Sequence, residues 1–325
     1  MMHIAMAIDT LTIHGAVRRC IELSNALIAR GHCVTIFTPT GEPCTWLPTT
    51  AEVDTYANMP RHKFTAVMAY GFKRGAYDLL MATKTRVRAL YLVGMDETRM
   101  SEFLAAPQEP DNPSGFLKTI IASGDWLVCA CSSWIRDWCN SALGANVRLL
   151  LGGVNRSIFR PVVVRRPEGY PVIMSSGDHR AREGSKDVAH AIEIMRGKGY
   201  PDVRLETYFR QGIPQSGMAA KIRLGHLWMD GQRYAGWANS VIEAMACRVP
   251  VVCTDIGGVR DFAIDGETAL LAPVGDAEVL AGQAMRILQD DALRVRLVRS
   301  AYAMAGRFTY ANTAERLEGY IEERL

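Results

Sequence analysis

Short, unbroken apolar runs alternate along this chain with longer stretches in which apolar residues recur at helical spacing. His3 to Ile8 is such a run. It lacks strict period-two alternation, as expected of a strand covered on both faces. Asp9 to Gly15 reads as a loop. From Ala16 to Arg30 the positions Val17, Cys20, Ile21, Leu27 and Ile28 predict a helix, and Gly31 supplies its stop. Cys33 to Phe37 is a second buried strand, ended by Thr38-Pro39. Strand, loop, helix, glycine and strand open a doubly wound parallel sheet, whose ligand crevice lies at the C-terminal strand ends.

The rhythm continues with strands at Ala66–Ala69, Ala89–Val93, Leu127–Ala130 and Asn146–Leu151, and Glu109 to Gly115 reads as a loop. Gly152-Gly153-Val154-Asn155 turns out of the last strand. Phe159-Arg160-Pro161 and Arg165 to Pro171 form a linker. A second series then runs through Val172–Ser176, Val203–Phe209, His226–Met229, Val249–Thr254 and Ala269–Leu271, with room for only one helix between Phe209 and His226. The expected fold is α/β, with two Rossmann-like domains facing a cleft and the second somewhat reduced. Residues 1–160 form the first domain and residues 161–308 the second. Clefts between such halves are where ligands bind.

Composition narrows the function. A length of 325 residues suits two domains, and a net charge of +3 without basic runs argues against nucleic acid. Met1 to Ile8 lacks the basic start of a signal peptide, and no stretch reaches the ~18 apolar residues of a membrane span. A cytoplasmic protein is expected, with peripheral membrane contact left open. The eight cysteines form no CxxC pair and mostly sit in apolar runs, so they read as small buried hydrophobes. No Asp-x-Asp or His cluster implies a metal.

The most informative stretch is Gly236 to Asp261, GWANSVIEAMACRVPVVCTDIGGVRD. Gly236 to Asn239 feeds a helix that Asn239 or Ser240 caps. The unpaired first amides of that helix and its dipole suit a phosphate. Glu243, one turn in, is placed to reach a ribose diol. Val249–Thr254 follows as a buried strand, and Gly257-Gly258 forms a loop at its C-terminal end, where missing Cβ atoms permit close approach of backbone to a ligand. By its physics alone this is equally an ordinary helix with a surface glutamate.

The same residues closely resemble the C-terminal signature of retaining glycosyltransferases of family 4, which have the GT-B fold. The match runs through Glu243-Ala244-Met245-Ala246, Pro250-Val251-Val252, Gly257-Gly258, Gly266, Leu271 and Pro273. Arg30-Gly31-His32, Ser132-Ser133-Trp134, Gly152 to Asn155 and Phe159-Arg160-Pro161 are similar to other family segments. His14-Gly15 stands at the family's Gly-Gly loop, with His14 in the first glycine's place. The resemblance implies a nucleotide-diphosphate sugar as donor, no separate cofactor, and an acceptor hydroxyl on a glycan, lipid-linked sugar or small molecule. It implies that Glu243 holds the ribose, that the helix after Gly236 and Trp237 receives the diphosphate, and that the last helix, from Tyr310, crosses back to the first domain.

Three positions depart from the pattern. The family's first glutamate, eight places before Glu243, is Ala235 here. Asp178 and Glu183 stand where the basic phosphate loop carries arginine and lysine. Within that loop, from Gly177, the remaining cations are Arg180, Arg182 and Lys186. A leaving diphosphate gathers negative charge, so Arg180 and Arg182 are the expected catalytic cations. Asp9, His14 and Asp96-Glu97 follow first-domain strands and are candidates to face the acceptor, with His14 and Asp96 the chosen pair. Gly15 would approach a ligand from that domain. The reading is a retaining glycosyltransferase. Its rival is a non-catalytic member that binds a nucleotide sugar or glycan. A nicotinamide dehydrogenase is set aside because no G-x-G-x-x-G follows the first strand.

Overall fold

The computed structural model describes residues 1–13, 15–70, 74–93, 113–178, 180–208 and 213–325. The chain divides into two compact units, one of Met1–Gly153 with Tyr310–Leu325, the other of Val154–Thr309.

In the first unit, β1 (His3–Ile8), α1 (Gly15–Ala29), β2 (Cys33–Thr38) and β3 (Glu52–Thr55) are followed by β4 (Lys63–Tyr70), α2 (Arg74–Ala82) and β5 (Lys84–Leu92). Then come α3 (Pro113–Ser123), β6 (Leu127–Ala130), α4 (Ser133–Leu143) and a two-residue β7, Arg148–Leu149. The strands make one parallel sheet in the order β3-β2-β1-β4-β5-β6-β7. Ile4, Ala5, Met6 and Ala7 are fully buried, which is why their run carries no alternation. Gly31 takes φ +90°, the left-handed turn a glycine permits after α1. Ser132 caps α4 by accepting the Ile135 amide at 3.4 Å. The strand expected over Asn146–Leu151 shrinks to β7, because Gly152 and Leu150 hydrogen-bond to Cys131 and Ala130 in irregular backbone.

The second unit runs β8 (Val172–Ser176), α5 (Ser185–Gly197), β9 (Arg204–Tyr208), α6 (Gln215–Leu224) and β10 (Leu227–Asp230). It continues with α7 (Asn239–Ala246), β11 (Val251–Thr254), β12 (Leu270–Ala272), α8 (Ala277–Gln289) and α9 (Asp291–Ala305). Its sheet is also parallel, β12-β11-β10-β8-β9. Five strands against seven make it the smaller sheet, and between β9 and β10 the described residues form the single helix α6. Val188, Ile192 and Met195 of α5 and Leu280 and Ala284 of α8 pack on Ile173, Met229 and Val252 of the sheet.

The final helix, α10 (Tyr310–Glu322), belongs to the first unit. Thr313 Oγ1 donates to the Leu151 carbonyl and Tyr320 Oη to that of Leu149, both at 3.1 Å. Arg30 and His32 both engage Glu318, His32 at 3.2 Å.

Candidate functional site

The C-terminal ends of β8, β10 and β11 carry three loops that are stitched together atom by atom. The helix α7 starts there, and all eight of its residues are buried. Its N-cap is Ala238, with no side-chain cap, so neither Asn239 nor Ser240 plays the expected part. The Ser240 hydroxyl is drawn elsewhere: it donates to Asp230 Oδ2 at 2.7 Å. Asp230, buried at the end of β10, also accepts the Gln232 amide at 3.1 Å and Trp228 Nε1 at 3.4 Å. These donors satisfy a buried carboxylate and fasten the helix start to the strand end.

Glu243 is 4% exposed, on the second turn of α7. It is therefore not a surface glutamate. Its charge is felt by Cys247, whose thiol is pushed up to about 12 chiefly by burial, against the lowering effect of Arg223.

The glycine loop meets the helix start from the other side. The Ala238 amide donates to the Gly258 carbonyl at 3.1 Å. A Cβ on Gly258 would lie 2.3 Å from the Ala235 carbonyl oxygen and 2.9 Å from the Trp237 nitrogen. Gly258 is thus required by protein backbone. This corrects the expectation that its bareness serves a ligand. Gly257 is buried beside it. Trp237 is corrected likewise: its indole packs against Phe262 and Phe308, with ring centres 4.9 and 5.5 Å away, as part of a buried aromatic cluster. Gly236 is buried in the same loop.

The loop that follows β8 is held just as closely. Gly177 donates its amide to Tyr208 at 2.9 Å, and a Cβ there would sit 3.1 Å from the same oxygen. Gly184 has φ +63°, and its Cβ would fall 1.7 Å from the Gly231 oxygen. The Arg233 amide donates to the Arg182 carbonyl at 2.7 Å. Gln232 Nε2 donates to Glu183 Oε2 at 2.8 Å.

Within this loop the charges cancel. Arg180 forms a fork on Asp178, with Nε 2.9 Å from both carboxylate oxygens, and also reaches Glu183 at 2.9 Å. Arg182 Nε donates to Glu183 at 3.0 Å. The two arginines expected as phosphate cations are therefore already paired by the two acids that depart from the family pattern. Lys186, exposed in the first turn of α5, makes no ion pair among the described residues. Of the buried polar atoms that lack a hydrogen-bond partner among the described residues, two lie at these strand ends, Ser176 Oγ at the end of β8 and Gln232 Oε1 beyond β10.

Residues 229–304, which span this helix, strand and glycine loop, match the model of the family described as glycosyl transferases group 1. The match covers this part of the second unit. Its similarity to the D-inositol 3-phosphate glycosyltransferase of Acidothermus cellulolyticus is 31% identity over 170 residues, 52% of this chain and 34% of that protein. The matched region thus spans about a third of that curated relative's length. Among solved structures, sucrose-phosphate synthase from Thermosynechococcus elongatus superposes with a TM-score of 0.76 over 99% of this chain and 98% of its own, at 18% identity. Anabaena Alr3699/HepE, in complex with UDP and glucose, gives 0.73 over 99% and 100%, at 16% identity. These two likenesses show the GT-B fold.

The second unit brings together Gly177, Gly236, Asn239, Ser240, Glu243, Gly257 and Gly258, with Arg180 and Arg182 in the adjoining loop. Gly15 opens α1 in the other unit, half-buried. Asp9 accepts Tyr56 Oη at 3.4 Å. His14 and Asp96, with Glu97, lie outside the described residues. Asp230 and Gln232 carry no motif, and the reading from sequence missed them. The signal was a polar pair, Asp230 and Gln232, just where a buried strand ends. Among the described residues no group of His, Cys, Asp and Glu could hold a metal, and no helix is long and apolar enough to cross a membrane.

Proposed function

We propose that the chain binds a nucleoside-diphosphate sugar at the C-terminal strand ends of its second unit and transfers the sugar, with retention, to an acceptor hydroxyl. The observation that carries this reading is the burial of Glu243 one turn into a helix whose start is clamped by Asp230 and by the Gly258 carbonyl. A carboxylate fixed at that place can accept both hydroxyls of a ribose diol. HepE, bound to UDP in its complex, supports the same class of ligand.

The diphosphate takes the position beside the loop from Gly177 to Lys186. Negative charge grows on it as the bond from its oxygen to the anomeric carbon breaks. Lys186 and the first amides of α5 supply the stabilising charge, because the arginines are held by their own carboxylates. The acceptor oxygen forms its bond on the face the diphosphate leaves, and its proton passes to the departing phosphate. No separate cofactor is invoked. Ser176 Oγ and Gln232 Oε1 take up ligand hydroxyls or base N–H groups. Eight free thiols, with Cys33 exposed, suit a reducing compartment, and we place the activity in the cytoplasm.

The test is calorimetry with a panel of nucleoside diphosphates, followed by transfer assays with the sugar form of any binder. Glu243→Ala should weaken nucleotide binding by about 1.5–3 kcal/mol, the usual worth of a charge-assisted hydrogen bond. A folded variant with unchanged affinity removes the donor-site assignment.

A further inference from the structure

The second unit has another pocket, at the opposite edge of its sheet. It has a volume of about 400 Å³ and is lined by Arg166, Arg248, Arg294 and Arg299, with Pro250, Val295, Val298 and Tyr302. Pro250 immediately precedes β11, and its carbonyl accepts the Trp228 amide at the start of β10. The pocket therefore lies at the N-terminal strand ends, away from the α7 start and the glycine loop. Four guanidiniums line it and no carboxylate does. Asp291 holds Arg294 at 2.8 Å from outside the lining, whereas Arg248 and Arg299 have no carboxylate partner among the described residues.

Like charges crowd in this pocket. Arg248 and Arg156 each lie 4.4 Å from the centre of the Tyr302 ring. Arg166 has its charge disfavoured by burial first and then by Arg294. His226, directly before β10, is lowered by burial and by the charges of Arg166 and Arg294. The backbone adds a second, independent sign. Arg248 has φ +59°, and it is the one non-glycine residue among those described with a left-handed backbone. Glycine would hold that conformation without strain. The chain instead places there the side chain that reaches the pocket, and strain kept at one residue points to use of its side chain.

We propose that this pocket binds a phosphate group carried on a small apolar body, separately from the donor nucleotide. Arginine forks suit phosphate oxygens, and the walls of Pro250, Val295, Val298 and Tyr302 suit the apolar part. The phosphate can come from a soluble metabolite or from the headgroup of an anionic lipid.

The experiment uses the whole chain. Pyrophosphate is titrated while hydrogen exchange is followed in peptides covering residues 248–250 and 294–302. In parallel, the protein is sedimented with vesicles of phosphatidylglycerol or of phosphatidylcholine. Both are repeated with Arg248→Gly combined with Arg299→Ala, a variant that removes two charges and also relieves the strained backbone, so its thermal midpoint should equal or exceed the native one. We expect protection of these peptides by pyrophosphate, weakened at least about tenfold in the variant, as loss of charge-assisted bonds to phosphate implies. Co-sedimentation with phosphatidylglycerol alone, lost in the variant, identifies a lipid headgroup. Protection without co-sedimentation identifies a soluble phosphate. Absence of both, or equal binding by native and variant protein, overturns the proposal.

Discussion

The two ends of the second unit's sheet manage charge in opposite ways. At the C-terminal ends, where a diphosphate is expected, Arg180 and Arg182 are matched by Asp178 and Glu183. At the N-terminal ends four arginines line a pocket with no acid in its wall. Left-handed residues at tight turns occur at both ends, among them Gly184 at φ +63° and Arg248 at φ +59°. The first must be glycine because another backbone lies against it. The second could be glycine and is not. A near-neutral total of charge therefore hides a polarised domain, and the cations nearest a motif are not the ones left available.

That contrast can be broken most forcefully at Gly184. Gly184→Ala drives a Cβ into the Gly231 carbonyl and forces a left-handed alanine. It should cost about 3 kcal/mol, a drop of roughly 6–12 °C in Tm for a domain of this size. Arg248→Gly should move Tm the other way or leave it alone. Thermal melts of the two variants side by side check both signs, and equal losses would end the distinction between the ends.

A smaller effect concerns the neutralised loop. If its own acids are what withhold Arg180, then Asp178→Asn should release the guanidinium and strengthen nucleoside-diphosphate binding, by roughly tenfold at most. Nucleoside binding should not change. Calorimetry with both ligand classes reads this, and unchanged diphosphate affinity would put the loop out of the phosphate's reach.

The smallest effect is a pH dependence. The His226 Nδ1 accepts the Val172 amide at 3.0 Å, a role it can fill only while neutral. Burial first, then Arg166 and Arg294, keep its pKa below the ordinary 6.5. The unfolded chain thus takes the proton more readily, so this residue subtracts stability as pH falls through 6.5 and subtracts nothing well above it. His226→Asn keeps an acceptor and cannot titrate. Its Tm should fall less than the native Tm between pH 7.5 and 5.5, and parallel curves would exclude His226 as the cause.

What the chain showed before folding follows from how local each signal was. The βα rhythm was legible because parallel strands buried on both faces leave unbroken apolar runs, as in Ile4–Ala7 and Val251–Val252. Glu52–Thr55 escaped notice because an edge strand of sequence EVDT has no such run, and none of its residues is fully buried. The place of Glu243 one turn into a helix was legible, but its burial was not, because the helix start alone suits a surface glutamate equally well. Ser240 was misjudged as a cap because its true partner, Asp230, is ten residues earlier on another element. The neutralisation of Arg180, by contrast, was local: Asp178 and Glu183 lie two and three residues away, a spacing that pairs charges on a turn. The left-handed turn at Arg248 carried a signal too, since a helix end before a strand is where a glycine is ordinarily found.

The last helix sets a condition on how the chain can be made. Because α10 packs as part of the first unit, that unit is not complete when its first 153 residues have emerged from the ribosome. Its α1 face and the carbonyls of Leu149 and Leu151 wait for Tyr310 to Glu322. The second unit, encoded as one uninterrupted segment from Val154 to Thr309, has every residue it needs before the first unit has all of its own. If each unit folds once its residues are complete, the second unit would precede the first, against the usual order in which N-terminal domains fold first.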